Sequence, residues 1–452
     1  MKICYRAYVN TDKAIPQKSE DLAQDIEGFL REMIGDSEID LGTRQNSSGR
    51  KTILPALVLW SGIIVAVLRG FSSQLQIWRL VSWEGFWNNP RFPVSDQAVY
   101  NRLVEESGPK AMQALFYRVR DGLKERLAPY AQQKLATFAA GVYAIDGSTL
   151  DKVARHLPKL RQVSNGDSKL LPGKMVGVFD IRYQQWHEMV HLTNPNQNDK
   201  FVATQLLELI PTGSLLLADL GFFSFPWFDT MTENGYWWIS RLRNQVTYEV
   251  IHPFYQQGDL FDGLVWLGKY RADRAAHAVR LVTFSIGKVH FRYITNVRDP
   301  LQLTMKDVAT LYARRWDIEM AFKMVKRHLN LHILWSAKPQ IVLLQLWAVL
   351  TIAQILHALQ MEIAGLAKVD PFDVSLDLVT QYVPRLTRDG QNPVQMIVEN
   401  GHRFGFIRPS RRIRIQVPEY DESQMVPLPA GIVLTRKPRY AQRKCGPRGP
   451  AP

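Results

Sequence analysis

Strand character begins abruptly in this 452-residue chain, and that break limits the folds open to it. Residues 1 to 135 read mostly helical, with no strand-like alternation of any length. At Phe138 the run TFAAGVYAID turns β-rich and ends in Asp146, with Gly147 and Ser148 reading as a turn. MVGVFDIRY and QWHEMVHL then follow so closely that they predict an antiparallel hairpin. Residues 199–210 read as a helix, SLLLAD as a short buried strand ending in Asp219, residues 223–234 as a helix, and YWWISRL as another strand. Strand, hairpin, helix, strand, helix, strand is the order of a mixed α/β sheet. Four further β-rich runs, VTYEVI, LVWLGKY, AVRLVTFSI and VHFRYIT, read as a small all-β insertion over residues 243–298.

The insertion is followed by a long predicted helix, MKDVATLYARRWDIEMAFKMVKRHLN, over residues 305–330. Thr304 with Asp307 resembles a capping box that starts it. Tyr312, Arg315, Glu319 and Lys326 lie at relative positions 0, 3, 7 and 14. At about 100° per residue these fall at roughly 0°, −60°, −20° and −40°, one narrow stripe. A carboxylate lined up with a Tyr, an Arg and a Lys can hold a metal ion and grip a phosphate backbone together. The plain alternative is a solvated face carrying an i,i+4-type ion pair.

Asp146 and Asp219 both follow β-rich runs and precede Gly within two residues. Ligand-facing groups of α/β sheets concentrate where strands end, although an Asp there often only caps a turn. With Glu319 they make three acids from three elements. Such a set fits in-line phosphoryl displacement, in which two divalent metals about 4 Å apart clamp the attacking and leaving oxygens. Hard oxygen ligands suit Mg²⁺ or Mn²⁺. His187, His191, His328 and His332 have no matching nucleophile or metal-ligand cluster in the sequence.

A net charge of +14 points to a polyanionic partner, although ribosomal-type or membrane-surface binding would account for it equally. From residue 383 onward there are 13 Lys/Arg against 5 Asp/Glu, and the last stretch, TRKPRYAQRKCGPRGPAP, reads as disordered or structured only on contact. Cys4 and Cys445 stand at opposite ends, so neither a disulfide framework nor a CxxC zinc site is expected, and a reducing cytosol fits. The opening MKICYRAYVNTDKAIPQ lacks the apolar stretch of a secretory signal. Residues 53–68 are short for a membrane span. Residues 341–363 are long enough, but Gln345, Gln354, His357 and Gln360 are scattered around that helix and point to a buried core helix instead. No membrane partner is expected. Ser95 is a good N-cap for DQAVYNRLVEES, with Gly108 as its stop, and Gln97, Tyr100, Asn101 and Arg102 are types that read DNA from a recognition helix.

Asp146-Gly-Ser, Asp219-Leu-Gly-Phe and Tyr312-x2-Arg315-x3-Glu319-x6-Lys326 together resemble the DDE transposases of bacterial insertion sequences, of the insertion-sequence-four type. The resemblance covers roughly residues 138–360. It implies an α/β fold with a ribonuclease-H-like mixed sheet as catalytic core (residues 136–242 and 299–365) around the β-strand insertion 243–298. A helical N-terminal DNA-binding domain (1–135) and a basic C-terminal region (366–452) flank it. It further implies that Asp146, Asp219 and Glu319 ligate two Mg²⁺ ions, for which Mn²⁺ can substitute. Tyr312, Arg315 and Lys326 would bind DNA ends, with Gln97, Asn101 and Arg102 as N-terminal DNA contacts. Relatives that excise through DNA hairpins hold a base pulled from the stack against an aromatic ring; Trp266 is the first candidate here and Trp238 the second. The implied partners are double-stranded DNA, as transposon ends and target, and a second copy of the chain in a paired-end complex. The implied location is the cytoplasm, on the bacterial nucleoid. A host nuclease on the same fold, or a catalytically silent transposase-derived DNA-binding protein, are the competing readings.

Overall fold

The computed structural model describes residues 54–86, 89–150, 173–194, 197, 200–268, 273–336, 338–410 and 415–440. Before the sheet the elements are helical, as expected: α1 (Ala56–Leu68), α2 (Gln74–Arg79) running into a π turn (Leu80–Glu84), α3 (Asp96–Leu103) and α4 (Ser107–Leu127). The helical reading of residues 1–53 lies outside the described residues. Ser95 caps α3, its hydroxyl accepting from the Ala98 N–H at 3.2 Å. Gly108 is not the stop of that helix, which ends at Leu103. It sits in the first turn of α4, where a Cβ would come within 2.7 Å of the buried Trp60 ring, so close packing, not a turn, requires it.

Among the described residues nine strands follow: β1 (Val142–Thr149), β2 (Lys174–Asp180), β3 (Gln185–Leu192), β4 (Leu215–Ala218), β5 (Trp237–Arg241), β6 (Tyr248–Gln257), β7 (Leu260–Leu267), β8 (Val279–Ile286) and β9 (Val289–Thr295). They form one sheet in the order β3-β2-β1-β4-β5-β9-β8-β7-β6. β1, β4 and β5 are mutually parallel, and the other pairings are antiparallel. The expected hairpin is β2–β3, and α5 (Lys200–Glu208) and α6 (Phe225–Glu233) lead into the parallel strands β4 and β5. Two expectations are revised. Gly147 and Ser148 do not turn but continue β1, paired with Val176 and Met175. The four late strands also do not form a sheet of their own, because β9 pairs with β5 and carries the core sheet onward.

Alternation along the strands sorts the core onto two faces. Val142, Ala144, Leu215, Leu217 and Ile239 pack with the helices that follow the sheet, whereas Tyr143, Ile145, Leu216, Ala218 and Trp238 pack with α5 and α6. The sequence after β9 gives α7 (Met305–Arg314), α8 (Trp316–Lys323) and a π turn (Met324–His328), then α9 (Pro339–Ala367), α10 (Leu376–Arg388) and α11 (Pro393–Phe404). The helix expected over 305–330 is interrupted by a single tight turn at Arg315, whose own φ −52° and ψ −31° stay helical, and it widens near its end. Its capping box is present, with the Thr304 side chain accepting from the Asp307 N–H and the Asp307 carboxylate accepting from the Thr304 N–H.

α9 is long and apolar enough to cross a membrane, yet 89% of its most apolar window is buried within the protein. The glutamines that argued for a core helix satisfy neighbouring backbone: Gln345 bonds Trp335 N–H and the Ile333 carbonyl, and Gln354 bonds both backbone groups of Trp186 in β3. The C-terminal region is more ordered than its composition implies. α10 and α11 bury Val379, Val383, Val394 and Ile397, and residues 434–440 run beside the β8 approach. There, Ala278 N–H donates to Leu434, Arg436 N–H to Ala276, and Arg274 and Arg439 exchange backbone bonds, while the Tyr440 hydroxyl donates to Asp229. Residues 441–452 lie outside the described residues.

The most deeply buried ion pair in this half joins β7 to β8. Arg280 forks onto Asp262 with two 2.6 Å bonds, both side chains 0% exposed, and its third nitrogen donates to the Leu303 carbonyl just before α7. Removing one partner leaves an uncompensated buried charge. Asp262→Ala is expected to lower unfolding stability by about 3–5 kcal/mol, whereas replacing both residues with apolar ones should cost much less. Urea denaturation of the two variants checks the difference.

Candidate active site

The register of β1 against β4 sets the site. Val142 pairs with Leu215, and the pairing runs in step to Ile145 with Ala218. One step further on these parallel strands stand Asp146 and Asp219, where β4 has ended and β1 continues on β2 alone. Parity places both on the face of Val142, Ala144, Leu215 and Leu217, the face covered by the later helices. α8 packs across β1 and β2 and brings Glu319 to the same place. Three acids that are 73 and 100 positions apart in the chain thus lie on one face of the sheet.

Arg315, at the break between α7 and α8, stands among them. Its Nη2 lies 2.7 Å from Glu319 Oε1 and its Nε 3.8 Å from Asp219 Oδ1, so it pairs with both. The guanidinium is largely buried, and its Nε has no hydrogen-bond partner. Burial works against its charge, but Tyr312, Glu319 and Asp219 outweigh burial and hold its pKa above the ordinary value. Burial also raises the Asp146 carboxyl to about 6; the Gly147 N–H and Arg315 oppose that rise, and the negative charges of Asp219 and Glu319 add to it.

The rest of the stripe reaches the same place less uniformly. Tyr312 is buried, its ring 5.1 Å from Tyr293 of β9, and its hydroxyl has no hydrogen-bond partner. Lys326 lies in the π turn, where its ammonium donates to the Thr149 carbonyl at the end of β1. The i,i+4 pair of the plain reading is real, being Arg315 with Glu319, but it reaches beyond its own helix to Asp219.

The other five sequence candidates sit elsewhere. Trp266 is half-buried under the Arg436 guanidinium, 4.5 Å from its ring, and no described contact joins it to the acids. Trp238 is 0% exposed and stacked on Phe228 at 4.3 Å; it is core, and in this conformation it cannot receive a base. In α3, Gln97 and Asn101 are exposed and bonded to each other at 2.8 Å, but Arg102 turns inward to the Leu54 carbonyl and Glu105. Sequence reading passed over Trp316, which is 50% exposed and 5.9 Å from the Arg315 guanidinium. Its position directly after Arg315, with Met320 one turn on, was the available signal.

The donor set suits a hard divalent cation: three carboxylates on one face, with Asp219 and Glu319 partly exposed and the Asp146 carboxyl raised chiefly by burial, to which its acidic neighbours add. Among the described residues, however, no three acids or histidines are drawn together tightly enough to cage an ion, and Arg315 supplies the positive charge between them.

Residues 138–355 match the family model described as Transposase DDE domain. That stretch begins just before β1, ends within α9 and contains all three acids. The chain is also similar to the transposase for insertion sequence element IS231B of Bacillus thuringiensis subsp. berliner, 28% identical over 106 residues. That alignment spans 24% of this chain and 22% of the relative. Among solved structures, a piggyBac transposase synaptic complex with hairpin DNA superimposes with a TM-score of 0.43 at 7% identity, over 90% of this chain and 89% of that one. A likeness that low carries no argument about this chain.

The electrostatics give a signed expectation. A carboxyl raised from 3.8 to about 6 in the folded state favours folding while protonated, and that contribution is lost as pH rises through about 6. Asp146→Asn removes the cost of the buried charge but keeps an acceptor for Gly147. It should stabilise the protein by about 1–3 kcal/mol at pH 7.5 and by almost nothing at pH 4. Paired denaturant titrations at the two pH values test this, and equal effects at both would refute it.

Proposed function

We propose that this protein is a DNA transposase that cleaves the ends of its own insertion sequence and joins them to target DNA. The observation that carries the reading is the meeting of Asp146, Asp219 and Glu319 on one face of the sheet, with Arg315 between two of them, inside the stretch that matches the transposase DDE domain. The ribonuclease-H-like assignment of the core belongs to the same proposal and rests on the order β3-β2-β1-β4-β5 with β1, β4 and β5 parallel.

Asp146, Asp219 and Glu319 would hold divalent metal, Mg²⁺ or Mn²⁺, whose role is to activate the attacking oxygen and neutralise the leaving one. The protein's own groups position the strand. Arg315 presents a fork that matches two phosphate oxygens, and Lys326 places a point charge at the end of β1. Tyr312 backs the Arg315 guanidinium and offers an unpaired hydroxyl. Trp316, exposed beside Arg315, is better placed than Trp266 or Trp238 to stack on an unpaired base near the cleaved end. Gln97 and Asn101 face outward on α3 for base or backbone contact. Paired-end chemistry calls for a homodimer, and the setting is the cytoplasm, on the nucleoid.

The test is cleavage of a DNA fragment carrying this gene with its native flanks, by wild type and Glu319→Ala, with Mg²⁺. Metal-dependent breaks at paired inverted ends in wild type, with loss of cleavage below detection in the variant, are expected. Binding at those ends with no break, in Mg²⁺ or Mn²⁺, would instead establish a silent DNA-binding protein. Full cleavage by the variant would refute the site.

A further inference from the structure

The Arg315 guanidinium does two things that cannot both be done at once with equal strength. It neutralises Asp219 and Glu319 from within, at 3.8 and 2.7 Å, and it is the best-placed phosphate fork on α7–α8. We infer that Arg315 is an internal counter-ion that divalent metal must displace and DNA phosphate draws away, so that metal and DNA bind this site cooperatively through one side chain. This rests on the proposed function, because it takes the three acids to be the metal ligands.

Three observations support the inference. The guanidinium's hold on the acids is incomplete: Nε lies 3.8 Å from Asp219 with no hydrogen bond made, although the side chain is largely buried. A group buried with an unmade bond is poised to gain from a better acceptor, and a phosphate is one. The second is that the Tyr312 hydroxyl, buried beside it, is likewise unpartnered. The third is its place: Arg315 stands at the turn between α7 and α8, its guanidinium 5.9 Å from the ring of Trp316, which is 50% exposed, so a strand that stacks on that ring comes within reach of it.

The charge arithmetic gives the direction. With Arg315 on the acids, an incoming divalent cation meets three carboxylates already offset by one positive charge. With Arg315 on a phosphate, it meets all three uncompensated. DNA therefore raises metal affinity, and by reciprocity metal raises DNA affinity by the same factor, in the range of roughly 5–150-fold that such couplings take. Arg315→Gln removes the competing charge permanently, so it tightens metal binding without DNA and abolishes the dependence on DNA. Arg315→Lys retains a charge without the fork and should preserve part of the coupling.

The experiment measures free Mn²⁺ by electron paramagnetic resonance as the full chain is titrated at pH 7.5, with and without a short mixed-sequence DNA duplex. Wild type, Arg315→Gln, Arg315→Lys and Glu319→Gln are compared, each first checked for a cooperative thermal transition. The expected result is Mn²⁺ affinity about tenfold higher in Arg315→Gln than in wild type without DNA, with DNA tightening wild type by a similar factor and leaving Arg315→Gln unchanged. If Glu319→Gln weakens Mn²⁺ binding while Arg315→Gln leaves it as in wild type, the counter-ion role is wrong and the metal site stands. If wild type binds no Mn²⁺ through Glu319, with or without DNA, the proposed function fails at the metal site and this inference fails with it.

Discussion

The in-step pairing of β1 with β4 is the constraint on which the candidate site depends. Parallel pairing from Val142–Leu215 to Ile145–Ala218 carries the two following residues onto the same face of the sheet. Both are aspartates. Two carboxylates about 4 Å apart repel by roughly 4 kcal/mol at an effective dielectric near 20, so a fold does not place them together without an offset. Arg315 supplies that offset for Asp219 and Glu319, and the Gly147 N–H supplies part of it for Asp146. The register creates the electrostatic problem, and the helix break at Arg315 is where the chain relieves it.

The remainder of the architecture holds that helix break in place from both sides. α8 lies on β1 and β2, and behind it the buried α9 packs against α1 and α4. On the other side, Arg280 links the β7–β8 pair to the carbonyl of Leu303, one residue before the cap of α7. The late strands are thus mechanically continuous with both the core sheet, through β9 on β5, and the start of the helix that carries Arg315. Residues 434–440 add a third tie, since they cross from the approach to β8 to Asp229 on α6.

Much of this was legible in the sequence because it rests on periodicity and local chemistry. The change from helical to strand character at residue 138, the β2–β3 hairpin, the four late strands, the Thr304 capping box and the core status of α9 all follow from patterns within a few residues. The acids stood out by a local sign, an Asp after a β-rich run with Gly within two residues, although β1 runs on past Asp146. What was missed is long-range. That Gly147 and Ser148 stay in β1 depends on β2 being there to pair with them. That Gly108 packs and does not terminate depends on Trp60, 48 positions earlier. The last stretch, from Thr435, looked disordered or structured only on contact by composition, but up to Tyr440 it is tied by backbone bonds to residues 274–278, which no composition argument can see. The surroundings of Trp266 are long-range in the same way: its ring is covered by an arginine 170 positions away.

The shape of the site also bears on the size of what it acts on. Small-molecule sites are concave and enclose most of the ligand. The helices of this protein do enclose a cavity of about 340 Å³, but it is lined by Val67, Leu68, Ile352, Leu356 and Arg385 among others, and by none of the three acids. The acids instead lie where β4 stops after four residues, with Asp219 41% exposed and Trp316 and Met320 projecting from the helix beside them. Among the described residues, this face presents charge, a largely buried arginine and an exposed ring, and the cavity lies elsewhere. Such a surface suits the long polyanion of the proposed function, because a polymer brings its own second wall and spreads its affinity over many phosphates outside the site. The early end of β4 places Asp219 on that face beside Asp146.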